Sequence, residues 1–268
     1  MKWALEAKKQ IARVPFFVRR RVKKRVEEEA RRCGSTTVTL DHISAVQKRF
    51  LDNMEREVRG FRVETCFGPG GCSKRAVSHD NLAQELETLL SSKNLKEFLK
   101  AKVQGPLKMH NEFKVTISDC PNACSRPQIS DIGLVGAAVP LLLQDKCTLC
   151  GECESVCKEN AVVMDSQEGP KFNLDKCLYC GECIRGCAAG ALEPKVIGYR
   201  VMVGGRLGRH PKLAQELPGI YGFQQVKAMV DACVELYKAE CEFGERFGDV
   251  LEKTGIKPLL DKSFELQD

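Results

Sequence analysis

The chain reads as an α+β protein, on three observations. Apolar residues recur at helical spacing in long stretches, short strand-like runs stand apart from them, and a cysteine-dense segment with little apolar content is set between two of those runs. The chain has 268 residues, enough to bury a core in one large or two smaller domains without covalent staples.

Residues 1–58 read as a helical module. Ile11 and Val14 precede Pro15-Phe16-Phe17, and Val18, Val22 and Val26 then recur every fourth residue toward Ala30, with Gly34 as a stop. A second helix is expected from about Asp41, with Ile43, Val46, Phe50, Leu51, Met54 and Val58 on one face. Glycines and cysteines make residues 59–75 read as loop, and residues 80–103 as one helix that Asp80 or Asn81 could cap. Lys114–Ser118 alternates like a strand, Ile132–Gly136 reads as a second, and Tyr199–Val203 as a third ending at Gly204-Gly205. Residues 224–243 form an amphipathic helix with Val226, Met229, Val230, Cys233, Leu236 and Tyr237 inward, and a short helix and irregular tail follow Gly244.

Net charge is +6, and much of the local excess lies in Arg19-Arg20-Arg21-Val22-Lys23-Lys24-Arg25. The valines within it and the Glu27-Glu28-Glu29 that follows make this the solvated face of a helix with i,i+4 ion pairs, which speaks against a nucleic-acid partner. No run of about 18 apolar residues occurs, so no membrane span is expected. Met1-Lys2-Trp3-Ala4-Leu5-Glu6 lacks the apolar core of a secretory leader, so the expected location is the cytoplasm.

Fifteen cysteines in such a chain point to metal or cluster ligands rather than disulfides. Cys147, Cys150, Cys153 and Cys157 follow C-x2-C-x2-C-x3-C, and Cys177, Cys180, Cys183 and Cys187 repeat it 30 residues later. A tight loop can wrap three thiolates around a cubic cluster, and the fourth must come from elsewhere. In two-cluster ferredoxins the last cysteine of each run ligates the other cluster. The expected sets are therefore Cys147, Cys150, Cys153 with Cys187, and Cys177, Cys180, Cys183 with Cys157. Zinc, which takes ligands in two pairs, suits a doubled three-plus-one pattern poorly. Lys158 and Ala188 stand where proline usually follows the last cysteine, so the exit turns are expected to differ. The segment resembles bacterial two-cluster ferredoxins, and the resemblance implies one-electron transfer at low potential.

A second set is Cys66 and Cys72, in Thr65-Cys66-Phe67-Gly68-Pro69-Gly70-Gly71-Cys72, with Cys120 and Cys124, in Cys120-Pro121-Asn122-Ala123-Cys124. C-x5-C followed by C-x3-C resembles the cluster-and-sirohaem motif of nitrite and sulfite reductases. Phe113–Ser118, Asp131–Gly136 and Gly204-Gly205-Arg206-Leu207-Gly208-Arg209-His210-Pro211 extend that likeness over residues 60–255, as in dissimilatory subunits with an inserted ferredoxin domain. The resemblance implies a third 4Fe–4S cluster on Cys66, Cys72, Cys120 and Cys124, with Cys124 the bridge to a sirohaem. Arg206 and Arg209, near His210, could then hold tetrapyrrole carboxylates. The glycines around Cys66 and Cys72 would let backbone amides point at sulfur. Lys114 is the candidate for binding a small inorganic anion, but Glu112 replaces the first member of a K-x-K pair and would repel it. No substrate-side half of the reductases is recognisable before Cys66. In its place Trp3, Ala7, Ile11, Val14–Arg19, Val22-Lys23-Lys24, Val26-Glu27 and Ala30-Arg31 resemble the small C-terminal domain of light-independent protochlorophyllide reductase subunits, which implies docking to a tetrapyrrole or a partner.

The expected organisation is a helical module over 1–58, a reductase-like domain over 59–140 and 196–268, and an inserted ferredoxin module over 141–195. Two functions are compatible with it. One is an electron-transfer protein that takes electrons from a soluble donor protein and relays them through three 4Fe–4S clusters to an acceptor partner or a bound tetrapyrrole. The other is a sirohaem-dependent sulfite or nitrite reductase, or a subunit of one. Cys33, Cys233 and Cys241 fit neither pattern and read as structural, and the four histidines show no ligand spacing.

Overall fold

The computed structural model describes residues 1–267. Residues 1–58 with 105–110 form one compact unit, and the rest of the described chain forms another.

In the first unit β1 (Lys2–Trp3) pairs in parallel with β2 (Thr37–Val38), and between and beyond them run α1 (Leu5–Ala12), α2 (Phe16–Arg32) and α3 (Leu40–Glu57). Pro15 stands at the N-terminus of α2, where its missing N–H costs nothing. The core is small: Ala7, Val26, Ala30 and Val38 are fully enclosed, and Trp3, Val22, Ile43 and Val46 pack on them. The face expected on α3 is only partly used, since Phe50 is exposed and no residue of α3 is fully buried. The Trp3 indole N–H donates to Glu27 at 2.9 Å. Glu29 is nearly inaccessible and is held by Arg49 and Arg32, each 2.8 Å away, which keeps its carboxyl at about 2.

The second unit is built on a five-stranded mixed sheet in the order β3 (Phe61–Thr65), β4 (Phe113–Ser118), β5 (Ile132–Leu142), β8 (Leu192–Val203), β9 (Gln215–Glu216). The first three strands are parallel and the last two antiparallel to their neighbours. β6 (Val162–Asp165) and β7 (Gly169–Phe172) form a separate hairpin between β5 and β8. The parallel pairing of β3 with β4 demands a crossover, supplied by α4 (Leu82–Ser92) and α5 (Leu95–Lys102). Two short helices, α6 (Glu152–Ser155) and α7 (Glu182–Arg185), lie in the cysteine-rich segment, and α8 (Phe223–Glu240), α9 (Phe247–Thr254) and α10 (Lys257–Gln267) follow the sheet. Leu82, Leu86 and Leu90 of α4 and Val226, Met229, Val230, Cys233 and Tyr237 of α8 are fully buried. Each of the leucine, valine and methionine side chains among them contributes about 1.5–3 kcal/mol. Phe113, Tyr237 and Phe247 stack together with centroids 5.4 to 5.9 Å apart.

Three expectations change. Residues 59–75 are not all loop: Phe61-Arg62-Val63-Glu64-Thr65 alternates and pairs in full with β4. The helix over 80–103 is two helices, broken where Asn94 takes a left-handed φ of 52°. Asn81 holds the N-cap position of α4 without a side-chain capping bond, and Asp80 instead accepts from Arg75. The strands flanking the cysteine-dense segment are far longer than the apolar runs suggest. β5 and β8 stay paired out to Leu142 and Leu192, past a register shift at Val139/Pro140. The prolines at 140 and 194 mask that extension in the sequence, and the irregular rung accommodates them.

Glu29 is stabilised in its charged form, so its contribution is complete above the ordinary value of 4.5 and is lost as pH falls through about 2. Arg49→Ala removes the larger cause of that depression. The acid transition of the first unit should then move to higher pH when followed by fluorescence of Trp3, the one tryptophan in the chain; an unmoved midpoint would show that the pair contributes nothing.

Candidate metal centres

The twelve patterned cysteines sort into groups by what they face. Cys147, Cys150, Cys153 and Cys187 line a tight enclosure with Leu142, Met164 and Leu192. Cys177, Cys180, Cys183 and Cys157 line a larger cavity of about 490 Å³, and Cys66, Cys72, Cys120 and Cys124 line the same cavity. The last cysteine of each run thus lies with the first three of the other run. The backbone explains this. Leu149 and Tyr179 take left-handed φ values of 57° and 58°, Gly151 and Gly181 follow at 78° and 69°, and each run then enters a single helical turn. The 30-residue sequence repeat is therefore a conformational repeat. Lys158 and Ala188 stand in place of proline, and the two exit turns match each other: Asn160 and Gly190 both take positive φ, and the Ala161 and Ala191 N–H groups each donate to the sulfur four residues back, Cys157 and Cys187, at 3.3 Å.

The remaining four cysteines follow the carboxyl ends of two adjacent parallel strands. Cys66 comes directly after β3, and its N–H still donates to the Ile117 carbonyl at 2.9 Å, while Cys120 and Cys124 follow β4. Gly68 and Asp119 N–H groups approach the Cys66 sulfur at 3.3 and 3.4 Å, and the Asn122 amide donates to the Cys124 sulfur at 3.0 Å. The amides expected near sulfur are thus supplied by Gly68 in the loop and by Asp119 and Asn122 outside it. Gly68 also leaves room for the Asp119 carboxylate, into which a Cβ would run.

Asp119 is buried behind these thiols. Its carboxylate accepts from Arg75 at 2.8 Å and from the Tyr199 hydroxyl at 3.3 Å, and burial outweighs them to push its carboxyl above the usual range. Burial likewise raises Cys120, Cys153 and Cys177, and pushes Cys183 up to about 12, with neighbouring Cys177 and Cys180 adding to it. Cys150 moves the other way because the Glu152 N–H points at its sulfur. Buried thiols of this kind give up their protons when a metal takes their place. Among the described residues no three converge on a point that would hold a single ion; they face volumes instead. Thiols spread round a volume and hydrogen-bonded by backbone amides suit a polynuclear iron–sulfur group better than zinc, whose four ligands crowd within about 2.3 Å of one centre.

The two thiol sets around the large cavity are joined by direct contacts. The Ala138 N–H of β5 donates to the Tyr179 carbonyl at 2.8 Å, Arg185 Nη1 donates to the Arg75 carbonyl at 2.7 Å, and Lys74 pairs with Glu182 at 3.0 Å. The other candidate residues lie elsewhere. Lys114, near the amino end of β4, pairs with Glu64 at 2.8 Å. Glu112 does not stand where it could repel a ligand of the cysteines: its buried carboxylate accepts from the Arg59 N–H and from Arg62, and it belongs to the opposite end of β4. Arg206 is committed to Asp249, to Glu252 and to the His210 carbonyl, and neither it nor Arg209 lines the cysteine cavity. Cys233 and Cys241 are buried, and burial raises both thiols; Cys33 is exposed on the first unit. Arg75, Asp119 and Tyr199 escaped the sequence reading because 44 and 80 residues separate partners that only the sheet brings together.

A mixed sheet that presents four thiols past the ends of parallel strands, beside a doubled cysteine turn, defines an iron–sulfur protein of the oxidoreductase class. Residues 60–266 match the family described as the nitrite and sulphite reductase 4Fe-4S domain, and the chain belongs to that family. Residues 3–47 match the family of the proto-chlorophyllide reductase 57 kD subunit. The coenzyme F420-dependent sulfite reductase of Methanocaldococcus jannaschii is 34% identical over 204 residues, 75% of this chain and 30% of that protein. One of the anaerobic sulfite reductase subunits of Salmonella typhimurium is 28% identical over 138 residues, 46% of this chain and 36% of that one. The chain therefore spans about a third of the length of these curated relatives. The crystal structure of dissimilatory sulfite reductase I shares the fold with a TM-score of 0.50 at 17% identity, covering 75% of this chain and 51% of that one.

Gly136 lies flat against the Asp119 carbonyl, which also accepts from Ala76 and Val77. Gly136→Ala would push that carbonyl away, at an overpacking cost of about 1–3 kcal/mol. We expect a lower Tm and a selective loss of iron from the Cys66 set, read by iron analysis; a variant with undiminished iron and Tm would contradict this role for the close approach.

Proposed function

We propose that the protein relays single electrons through three 4Fe–4S clusters to a partner enzyme or a bound tetrapyrrole. Cys147, Cys150, Cys153 and Cys187 would hold one cluster, Cys177, Cys180, Cys183 and Cys157 the second, and Cys66, Cys72, Cys120 and Cys124 the third. When bound, such clusters supply one-electron oxidation and reduction across a range of about −700 to +450 mV, set by charge, hydrogen bonds to sulfur and exposure. Residues 141–195 act as an inserted ferredoxin module, and a soluble redox protein is the donor. The observation that carries the reading is the single cavity faced by both the Cys66 and the Cys177 sets. Two redox groups held there would be neighbours with little protein between them. The chain's own contribution is to fix that neighbourhood through the Ala138–Tyr179, Arg185–Arg75 and Lys74–Glu182 contacts.

A second reading, a sirohaem-dependent sulfite or nitrite reductase subunit, draws support from two observations. Cys124 is exposed, which leaves its sulfur accessible to a further group, and Glu112 no longer argues against an anionic ligand. The names of the relatives agree with it. Lys114, tied to Glu64, is poorly disposed for substrate binding, so in this reading the partner chain would complete the anion site.

Anaerobically purified protein should contain about twelve irons with matching sulfide per chain. A visible spectrum without haem bands supports the relay alone, and sirohaem bands with viologen-driven sulfite reduction support the second reading. Cys124→Ser should remove about a third of the iron. Zinc in place of iron, or loss of all iron on that single change, would sink the three-site account.

A further inference from the structure

The two copies of the cysteine turn share a backbone but not their charges. Glu152 and Glu182 occupy the same place in the repeat. Glu182 is neutralised by Lys74 at 3.0 Å and Arg185 at 3.4 Å, whereas Glu152 and Glu154 meet no cation among the described residues. The copies differ at several positions, and two of these are adjacent and change charge within the helical turn: Glu154 and Ser155 in the first correspond to Ile184 and Arg185 in the second. Ser155 only caps its own turn, its hydroxyl donating to the Glu152 carbonyl at 2.9 Å. Arg185 reaches further. Its guanidinium donates to the Cys180 carbonyl at 3.0 Å and to the Arg75 carbonyl at 2.7 Å, which pins a positive charge against the turn that carries Cys177, Cys180 and Cys183. The enclosure of the Cys147 set has Glu152 as its charged lining residue, while in the lining of the Cys177 set's cavity Lys74, Arg75 and Lys158 balance Asp119, Glu159 and Glu182.

Adding an electron to a cluster adds negative charge, so nearby cations favour the reduced form and nearby carboxylates oppose it. We propose that Arg185, with Lys74, is a positioning residue that raises the reduction potential of the Cys177-set cluster above that of the Cys147-set cluster, so that electrons enter at the Cys147 set and run toward the Cys66 set. This rests on the cluster assignment above. In the step, one electron supplied by an external low-potential reductant leaves the Cys147 site, which is oxidised, and reduces the Cys177 site; no bond forms or breaks and no proton is required. The order agrees with the geometry, because the Cys177 set is the one that shares its cavity with the Cys66 set.

The test is an EPR-monitored redox titration of the full chain, reconstituted anaerobically with ferrous iron and sulfide and poised with dithionite. Arg185→Ser should lower one component so that its share of electrons falls about tenfold against the others, about 59 mV for one electron. Ser155→Arg, in the other copy, should raise a different component. Arg185→Lys keeps the charge but not the fork, so it should retain the wild-type potential if charge is what matters. The assignment is overturned if Arg185→Ser leaves every component in place, if both serine–arginine exchanges move the same component, or if Arg185→Lys behaves like Arg185→Ser. Wild-type protein that takes up no iron would instead overturn the cluster reading beneath it, and iron analysis separates the two failures.

Discussion

Asp119, buried at the end of β4, is the residue on which the geometry of the large cavity turns. Its N–H faces the Cys66 sulfur, its carbonyl gathers the Ala76 and Val77 amides against Gly136, and its carboxylate joins Arg75 to Tyr199. One residue thus ties the first cysteine pair, the loop that follows that pair, the strand that leads to the insert and the strand that returns from it. A buried carboxylate without those donors would be costly, so the arrangement holds together as a unit or not at all. Arg75 extends it outward, since the backbone of the same arginine accepts from Arg185 in the second cysteine turn.

The parts of this protein that could be read from sequence are those whose constraint is local. The spacing in Cys147–Cys157 and Cys177–Cys187 reflects how a few residues wrap a small object, and the left-handed residues at Leu149 and Tyr179 repeat with it. Likewise α8 announces itself because Val226, Met229, Val230, Cys233 and Tyr237 need one another's company on a single face. What could not be read depends on partners far along the chain. β3 is five residues long and sits beside a glycine-rich loop, so its alternation is too short to stand out without its register against β4. The charges misled for the same reason. Glu112 looks like a repulsive group next to a lysine, yet the sheet turns it toward Arg59 and Arg62. Arg206 looks like an anion clamp, yet α9 offers it Asp249 and Glu252.

The doubled turn also separates what copying preserves from what it releases. The left-handed torsions and the amides directed at Cys157 and Cys187 are alike in both copies, while the Tyr179 N–H donates in addition to the Cys177 sulfur at 3.3 Å. Side chains one step further out have diverged, from Glu154 and Ser155 to Ile184 and Arg185, and only the second copy has an ion pair to the Cys72 loop through Lys74. Identical frames with unlike surroundings are what a chain needs if two similar groups are to do unlike jobs.

The long pairing of β5 with β8 has a mechanical meaning. Those strands are continuous from the middle of the sheet to the base of the insert, so the insert is a cantilever and not a tethered bead. Such a beam can flex, but its two strands cannot part without breaking each rung in turn. A mounting of this kind holds the cysteine turns in a fixed place relative to the sheet. The Ala138–Tyr179 bond acts as a brace partway along the beam, made of main chain and therefore indifferent to which side chains later come to decorate it.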